Sequence, residues 1–197
     1  MAVEKISAHY GIGASLDEIN ASCSDVLNKV YEAETVEEAP TLDGDEERSV
    51  IFSESLKEHD KQTRAEAIDE VPIGCVIVKD DKVIARSFNK KESSKDPTGH
   101  AEIIAIKKAC KKLDNWRLEG CEMYITLEPC IMCSGAIIQS RIKTVYFGPY
   151  DPKGGGLGSS INVLEANNIN HHPEVVGGIL KDECSSKLTN YFRKKRI

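Results

Sequence analysis

The sequence predicts an α/β domain in which a five-stranded sheet is sandwiched by helices. Short apolar runs rich in β-branched residues alternate with segments whose apolar residues recur at helical spacing. The first two runs are separated by a polar turn, which predicts a hairpin. A chain of 197 residues is long enough for one such domain and an appendage.

The elements follow from local patterns. We predict a buried strand over residues 73–78, a turn over 79–82 and a returning strand over 83–88. A loop over 89–99 and a helix over 100–112 follow. We then predict a strand over residues 121–127, a helix over 129–139 and a strand over 144–147. A last strand over 174–176 and a last helix over 179–193 complete the domain. In the first helix, Ile103, Ile104, Ile106 and Ala109 are apolar, and the lysines point mostly to solvent.

Charge is distributed unevenly along the chain. Residues 1–60 hold 15 acidic and 4 basic residues, whereas residues 61–197 hold 17 acidic and 22 basic residues. The net charge of −6 therefore hides a modestly basic second part, which suits a polyanionic partner.

The N-terminal part has its own organisation. Ser15 to Glu18 resembles a capping box and precedes apolar residues at helical spacing, and residues 32–48 are acidic. We predict an N-terminal extension over residues 1–48, with one amphipathic helix and a linker, and a second domain over residues 49–197.

A candidate metal site lies in the second domain. His100-x-Glu102 is followed by Pro129 and a Cys130-x-x-Cys133 pair. A helix beginning at Pro129 would place both sulfurs on one face of its first turn, where its dipole favours thiolates. With His100 as third ligand, the fourth tetrahedral position stays open for water, as in catalytic zinc sites. Glu102 does not share a helix face with His100, so we expect it to reach that water.

Two simpler interpretations of the Cys130-x-x-Cys133 pair are a redox pair and half of a structural zinc site. A structural site needs a fourth ligand, but the other five cysteines form no second C-x-x-C pair. His171-His172 lies between an asparagine-rich stretch and Pro173, which predicts an exposed loop. The combined pattern favours the open site.

Motifs and composition exclude several other classes. The glycine run 154–156 lacks the Gly-Lys-Ser/Thr of a P-loop, so we expect no nucleotide triphosphate. We find no secretion signal and no apolar run long enough to cross a membrane. We therefore expect a cytoplasmic protein whose seven cysteines stay reduced, with no membrane partner.

The pattern H-x-E…P-C-x-x-C is the signature of zinc nucleobase deaminases. The segments 128–136, 140–142, 147–148, 151–153 and 158–159 resemble the bacterial tRNA-specific adenosine deaminases, the TadA family, and the resemblance runs from about Val71 to Arg196. It implies a three-layer α/β/α, cytidine-deaminase-like fold with a central mixed five-stranded sheet. It places the family's first helix over residues 54–70, which are unusually polar here.

The resemblance also implies a reaction, the hydrolytic deamination of adenosine to inosine at wobble position 34 of an arginine tRNA with an ACG anticodon. One Zn²⁺ per subunit would be held by His100, Cys130 and Cys133. Glu102 would take a proton from the activated water and return protons to the ring nitrogen and the departing amine. Family members act as homodimers, so we expect a homodimer that binds tRNA.

Substrate contacts follow from the same resemblance. It implies that Asn89 contacts the target base, that Val71 forms part of the pocket wall, and that Asp151 and Lys153 face the RNA. We expect the loop at residues 154–156 to face the RNA as well. Near the C-terminus, basic and aromatic side chains suited to phosphate contact and stacking stand together. They are Tyr191, Phe192, Arg193 and Arg196.

Two alternatives remain open at this point. A small-molecule deaminase for guanine, cytosine or a pyrimidine nucleotide would share the zinc ligands, and would act on free base without RNA. A non-catalytic RNA-binding or scaffold protein is the other alternative. The intact Glu102 counts against a scaffold, and the basic, aromatic C-terminus counts against a small-molecule enzyme.

Overall fold

The computed structural model describes residues 70–195, which form a mixed five-stranded sheet with helices. The predicted extension over residues 1–48, the segment 54–69 and Arg196 lie outside the described residues. In chain order the strands are β1 (Gly74–Lys79), β2 (Lys82–Phe88), β3 (Glu122–Ile125), β4 (Thr144–Phe147) and β5 (Glu174–Gly177). The helices are α1 (Lys91–Ser94), α2 (Ala101–Leu113), α3 (Ile131–Gln139) and α4 (Lys181–Lys195), with a 3₁₀ turn at Val163–Glu165.

The sheet has the strand order β2-β1-β3-β4-β5. β1 pairs antiparallel with β2 and with β3, whereas β3, β4 and β5 are parallel to one another. Asp80 and Asp81 connect β1 to β2 and both have positive φ, which is the geometry of a type I′ hairpin turn. The predicted α/β class with a central mixed five-stranded sheet is confirmed.

Both faces of the three central strands, β1, β3 and β4, are buried. Ile77, Met123 and Phe147 point into the main core, which also contains Ala105 of α2 and Ile137 of α3. The alternate side chains point to the opposite face and are buried there as well, and they are Val76, Val78, Tyr124 and Tyr146. The rings of Tyr124 and Tyr146 stack with centroids 4.7 Å apart. The loops that carry the candidate site therefore follow strands that are almost fully buried, β3 and β4.

Two predicted helices begin later than expected. α3 begins at Ile131 instead of Pro129, because Cys130 pairs with Gly155 in an antiparallel bridge and stays extended. α4 begins at Lys181 instead of residue 179, because Leu180 has a left-handed φ of 47° that a helix cannot include. The predicted loop 89–99 contains the short helix α1.

The remaining predicted bounds agree with the structure to within two residues. Across residues 70–195, no helix has the length and apolar character that a membrane crossing requires.

Candidate metal centre and active site

Three predicted ligands meet where α2 and α3 begin. His100 is the N-cap residue of α2, Cys130 is the N-cap residue of α3, and Cys133 lies in the first turn of α3. The Nδ1 atom of His100 is 3.6 Å from the Sγ atom of Cys130 and 3.6 Å from that of Cys133. The three ligand atoms all lie within 4.8 Å of one another. The structure thus brings together the residues that the sequence pattern selected.

These distances fit a tetrahedral metal ion. Zn–S bonds of about 2.3 Å and Zn–N bonds of about 2.0–2.1 Å at tetrahedral angles place nitrogen and sulfur about 3.6 Å apart. Both observed N···S separations have this value. Among residues 70–195, this trio is the group of histidine, cysteine and acidic residues whose ligand atoms could hold a metal. Three protein ligands leave one tetrahedral position for water or substrate.

The three side chains of the trio shift one another's pKa values. The pKa of Cys130 is lowered to about 4, first because the Cys133 thiol donates a hydrogen bond to its sulfur, and also because His100 lies beside it. The pKa of Cys133 is raised, by that same hydrogen bond and by burial. The pKa of His100 is raised by its hydrogen bond with Cys130. The lowered pKa of Cys130 favours its thiolate, which is the form that binds a metal cation.

Glu102 lies next to the trio but is not part of it. It is buried in the first turn of α2, with 3 % of its surface exposed. Its Oε2 atom has no hydrogen-bond partner among the described residues, which is costly for a buried carboxylate. Burial raises the pKa of Glu102, while the neighbouring His100 opposes the shift. A buried acceptor left open beside a metal site is placed to bind a water or a substrate group.

Comparison with known proteins identifies the family. The model of the MafB19-like deaminase family matches residues 48–196. The chain is 47 % identical over 147 residues to the tRNA-specific adenosine deaminase of Bacillus subtilis, which covers 75 % of this chain and 89 % of that protein. The chain belongs to the tRNA-specific adenosine deaminase family.

Solved structures agree with this assignment. One, from a study of A-to-I editing by tRNA:A34 deaminases at the wobble position of transfer RNA, has a TM-score of 0.67 and 40 % identity, and the match covers 71 % of this chain and 99 % of that one. A guanine deaminase from Nitrosomonas europaea has a TM-score of 0.56 at 21 % identity, over 84 % of this chain and 91 % of that one, and shares the fold alone. The predicted cytidine-deaminase-like fold is that of the family.

In this family member, Asn89 supports the ligand helix. It follows β2, is buried, and accepts a hydrogen bond at Oδ1 from the Ala101 amide at 2.9 Å. Ser87 donates to the Ala101 carbonyl oxygen at 2.6 Å, so the residue after His100 is held at both its amide and its carbonyl. Val71 is half-buried just before β1. Contacts of Asn89 and Val71 with a base stay predictions.

The glycine-rich loop is tightly packed against the ligand segment. Gly155 pairs with Cys130, and the Gly156 amide donates to the Pro129 carbonyl oxygen at 2.8 Å. Both glycines are buried. Asp151 accepts a hydrogen bond from the Lys153 amide at 3.0 Å, and Lys153 is exposed. The loop therefore presents Lys153 outward from a base fixed beside the metal ligands.

Sequence reasoning missed the role of Glu128 in this loop. The side chain is buried, with 3 % of its surface exposed, and accepts hydrogen bonds from the loop. The donors are the amides of Asp151, Leu157 and Ser159, at 2.9, 3.0 and 3.2 Å, and the hydroxyl group of Ser159. One signal was available, since Glu128 is an acidic residue placed between an apolar strand and the helix that carries the cysteines.

The predicted C-terminal RNA contacts lie on α4. The rings of Tyr191 and Phe192 meet edge to face with centroids 5.3 Å apart, and Phe192 is 46 % exposed. The ammonium group of Lys195 lies 5.3 Å from the centre of the Tyr191 ring. Arg193 donates to Asn190 at 2.9 Å. A basic and aromatic surface is thus present on this helix, and its binding of RNA stays a prediction.

Proposed function

We propose that the chain is a zinc-dependent tRNA adenosine deaminase, which hydrolyses adenosine 34 to inosine in an arginine tRNA with an ACG anticodon. One observation carries the proposal: a three-ligand metal site lies beside a buried carboxylate with an oxygen that has no partner among the described residues. The close relatives named as tRNA-specific adenosine deaminases support the choice of substrate.

Zinc is the metal that best suits this donor set. Two cysteine sulfurs and one imidazole nitrogen favour Zn²⁺ over the oxygen-seeking Mg²⁺ and Ca²⁺. One ion per chain would be held by His100, Cys130 and Cys133. When bound, Zn²⁺ acts as a Lewis acid and lowers the pKa of a coordinated water toward neutrality. A reducing, cytoplasmic setting is part of the proposal, because cysteines must stay reduced to bind the metal.

Glu102 is the proposed proton carrier. Its open Oε2 atom accepts a proton from the attacking water and delivers it to the adenine ring nitrogen. The carboxylate then takes the remaining proton from the new C6 hydroxyl group and delivers it to the departing amine. Water adds at C6 and the C6–N bond breaks, so the products are inosine and ammonia. Burial of Glu102 excludes bulk water from this proton path.

Substrate capture is assigned to three groups of residues. Asn89 and Val71 contact the splayed-out base, which enters the site from a single-stranded loop at modest cost. Asp151 and Lys153 contact RNA beside the site. The aromatic and basic side chains of α4, together with Arg196, extend that contact to phosphates and neighbouring bases.

A homodimer is part of the proposal. Three exposed apolar side chains lie beside the metal ligands, and we refer to them as the apolar patch: Ile131, Met132 and Ile161, which are 49 %, 37 % and 50 % exposed. Ile161 is hydrogen-bonded to Gly155, the bridge partner of Cys130, so the patch is continuous with the site. Apolar surface of this kind supports association with a second copy. Sedimentation of the full chain and of an Ile131→Lys/Ile161→Lys variant tests this. A full chain that already has the mass of a monomer, unchanged in the variant, would contradict the proposed homodimer.

The test of function is inosine formation at position 34 of a transcribed arginine tRNA with an ACG anticodon. Zinc-loaded full-length protein is assayed beside Glu102→Gln, with Glu119→Gln as a matched control because Glu119 is exposed and far along the chain from the ligands. Free adenosine, guanine and cytosine are parallel substrates. Inosine in the tRNA, lost only in Glu102→Gln, supports the proposal. Turnover of a free base without turnover of tRNA would replace it with a small-molecule deaminase.

A further inference from the structure

Glu128 fills every acceptor position of its carboxylate with donors from one loop. Oε1 accepts from the amides of Leu157 and Ser159, and Oε2 accepts from the amide of Asp151 and the hydroxyl group of Ser159. The Ser159 hydroxyl oxygen also lies 2.7 Å from the Asp151 carbonyl oxygen, which is an alternative acceptor for its single proton. Both ends of the loop 151–159 are therefore fastened to one buried side chain.

The same carboxylate is tied to the metal site through the backbone. Glu128 is two residues before Cys130, and its own amide donates to the Pro149 carbonyl oxygen at 3.0 Å. A Cβ atom on Gly155 would lie 2.3 Å from Glu128 Oε2, so the loop backbone lies directly against the carboxylate. Hydrogen bonds to a charged acceptor are stronger than neutral ones. These buried and partly buried hydrogen bonds therefore fix the position of the loop 151–159 relative to the segment that carries Cys130.

We propose that Glu128 is a positioning residue, which holds the 151–159 loop in register with the metal ligands so that Lys153 meets the RNA substrate. This inference rests on the proposed function, because it takes Lys153 as an RNA contact. Lys153 is exposed and lies two residues beyond Asp151, the first amide that Glu128 binds. Glu128 itself contacts neither substrate nor metal in this scheme.

Glu128→Gln is the direct perturbation. A glutamine side chain has the same shape but offers one carbonyl oxygen, and its amide NH₂ group would face two of the four donors. We expect KM for tRNA to rise by at least about tenfold, which corresponds to about 1.4 kcal/mol. We expect kcat to change by less than about threefold, because the lost interaction serves binding. Zinc content should remain one per chain, and Glu119→Gln is the control for the same chemical change on an exposed residue.

A double-mutant cycle with Lys153→Ala separates positioning from general loss of structure. If Glu128 acts through the loop, Lys153→Ala raises KM in the wild-type chain but adds little in the Glu128→Gln background. Additive effects of the two changes, or a KM for Glu128→Gln within twofold of wild type, would overturn the proposal. If Glu128→Gln does not fold, Ser159→Ala replaces it, since that change removes a single donor, and an unaltered KM for Ser159→Ala would then overturn it.

Amide hydrogen exchange gives a readout that needs no activity. In zinc-loaded Glu128→Gln, the amides of Leu157 and Ser159 should exchange faster than in wild type, whereas the amides of β3 should not change. Unchanged exchange in the loop would overturn the proposal. The wild-type chain could form no inosine in tRNA while hydrogen exchange in the loop 151–159 still depends on Glu128. That result would refute the proposed function but would support the role of Glu128 in holding the loop.

Discussion

Gly156→Ala should destabilise the protein and weaken metal binding, although it adds only one methyl group. Gly156 is buried where the loop crosses the start of α3. A Cβ atom at this position would lie 2.9 Å from both the nitrogen and the Cα atom of Ile131, whereas ordinary contacts begin at 3.4 Å. The two backbone segments must therefore separate by the difference, about 0.5 Å.

The cost can be estimated from the atoms in contact. Overpacking of a buried site costs about 1–3 kcal/mol, and the upper part of that range, about 2–3 kcal/mol, applies because backbone atoms cannot rotate away. For a chain of this length each kcal/mol lowers Tm by about 2–4 °C, so Tm should fall by about 4–12 °C. Ile131 lies between Cys130 and Cys133, and disturbing the support of metal ligands typically reduces metal affinity by about 10–100-fold.

Gly135→Ala is the matched control, and the opposite sign is expected. Gly135 lies within α3, two residues after Cys133, and an added Cβ atom would meet nothing within 4 Å. Glycine in a helix interior costs about 0.5–1 kcal/mol relative to alanine, so Tm should rise by about 1–4 °C. The zinc affinity of this variant should match that of the wild-type chain.

The assay pairs calorimetry of the zinc-loaded full chain with zinc competition against a chromophoric chelator. A Tm for Gly156→Ala within about 1 °C of wild type would refute the packing argument, since the smallest expected fall is several times larger. A fall in Gly135→Ala equal to that in Gly156→Ala would also refute it, because any change near α3 would then be equally harmful.

Three further outcomes are expected. Glu102→Gln should lower turnover by about 10²–10⁴-fold with zinc content unchanged, and near-normal turnover measured by inosine formation in the tRNA would rule out its role in proton transfer. Asn89→Ala leaves the buried Ala101 amide without its 2.9 Å acceptor and should cost about 1–3 kcal/mol in urea unfolding, so equal unfolding midpoints would contradict this. Removing zinc with a chelator should lower Tm and adding zinc back should restore it, because a ligand that binds the folded state stabilises it, and a metal-independent Tm would argue against a bound ion.

Local patterns were sufficient to predict the strands and to select the three residues that the structure brings together as a candidate metal site. The continuous apolar run at residues 73–78 predicted β1 to within one residue, because burial on both faces removes the alternation of a half-exposed strand. The start of α3 was wrong because the Pro129 signal is local, whereas the pairing of Cys130 with Gly155 is a long-range contact. That pairing keeps Cys130 extended, and helix propensity cannot override it.

Glu128 shows what a single sequence cannot reveal. Its four donors lie 23 to 31 residues further along the chain, in a loop with no periodicity. A buried carboxylate can be recognised from sequence only when its partners stand at a fixed spacing, as in a capping box. Here the partners are mostly backbone amides, which every residue type except proline supplies. The residue types in the loop therefore do not indicate which amides bind Glu128.

The two ligand-bearing helices also explain why the support of the site was harder to predict than its ligands. His100 and Cys130 are both N-cap residues, and neither makes a side-chain capping hydrogen bond. A serine or aspartate at such a position would typically stabilise a helix by about 0.5–2 kcal/mol. In α2 the amide of Ala101 is satisfied instead by Asn89, from the end of another element. The candidate metal ligands therefore occupy positions that stability alone would give to capping residues. We expect the binding of a metal ion to supply the compensating free energy.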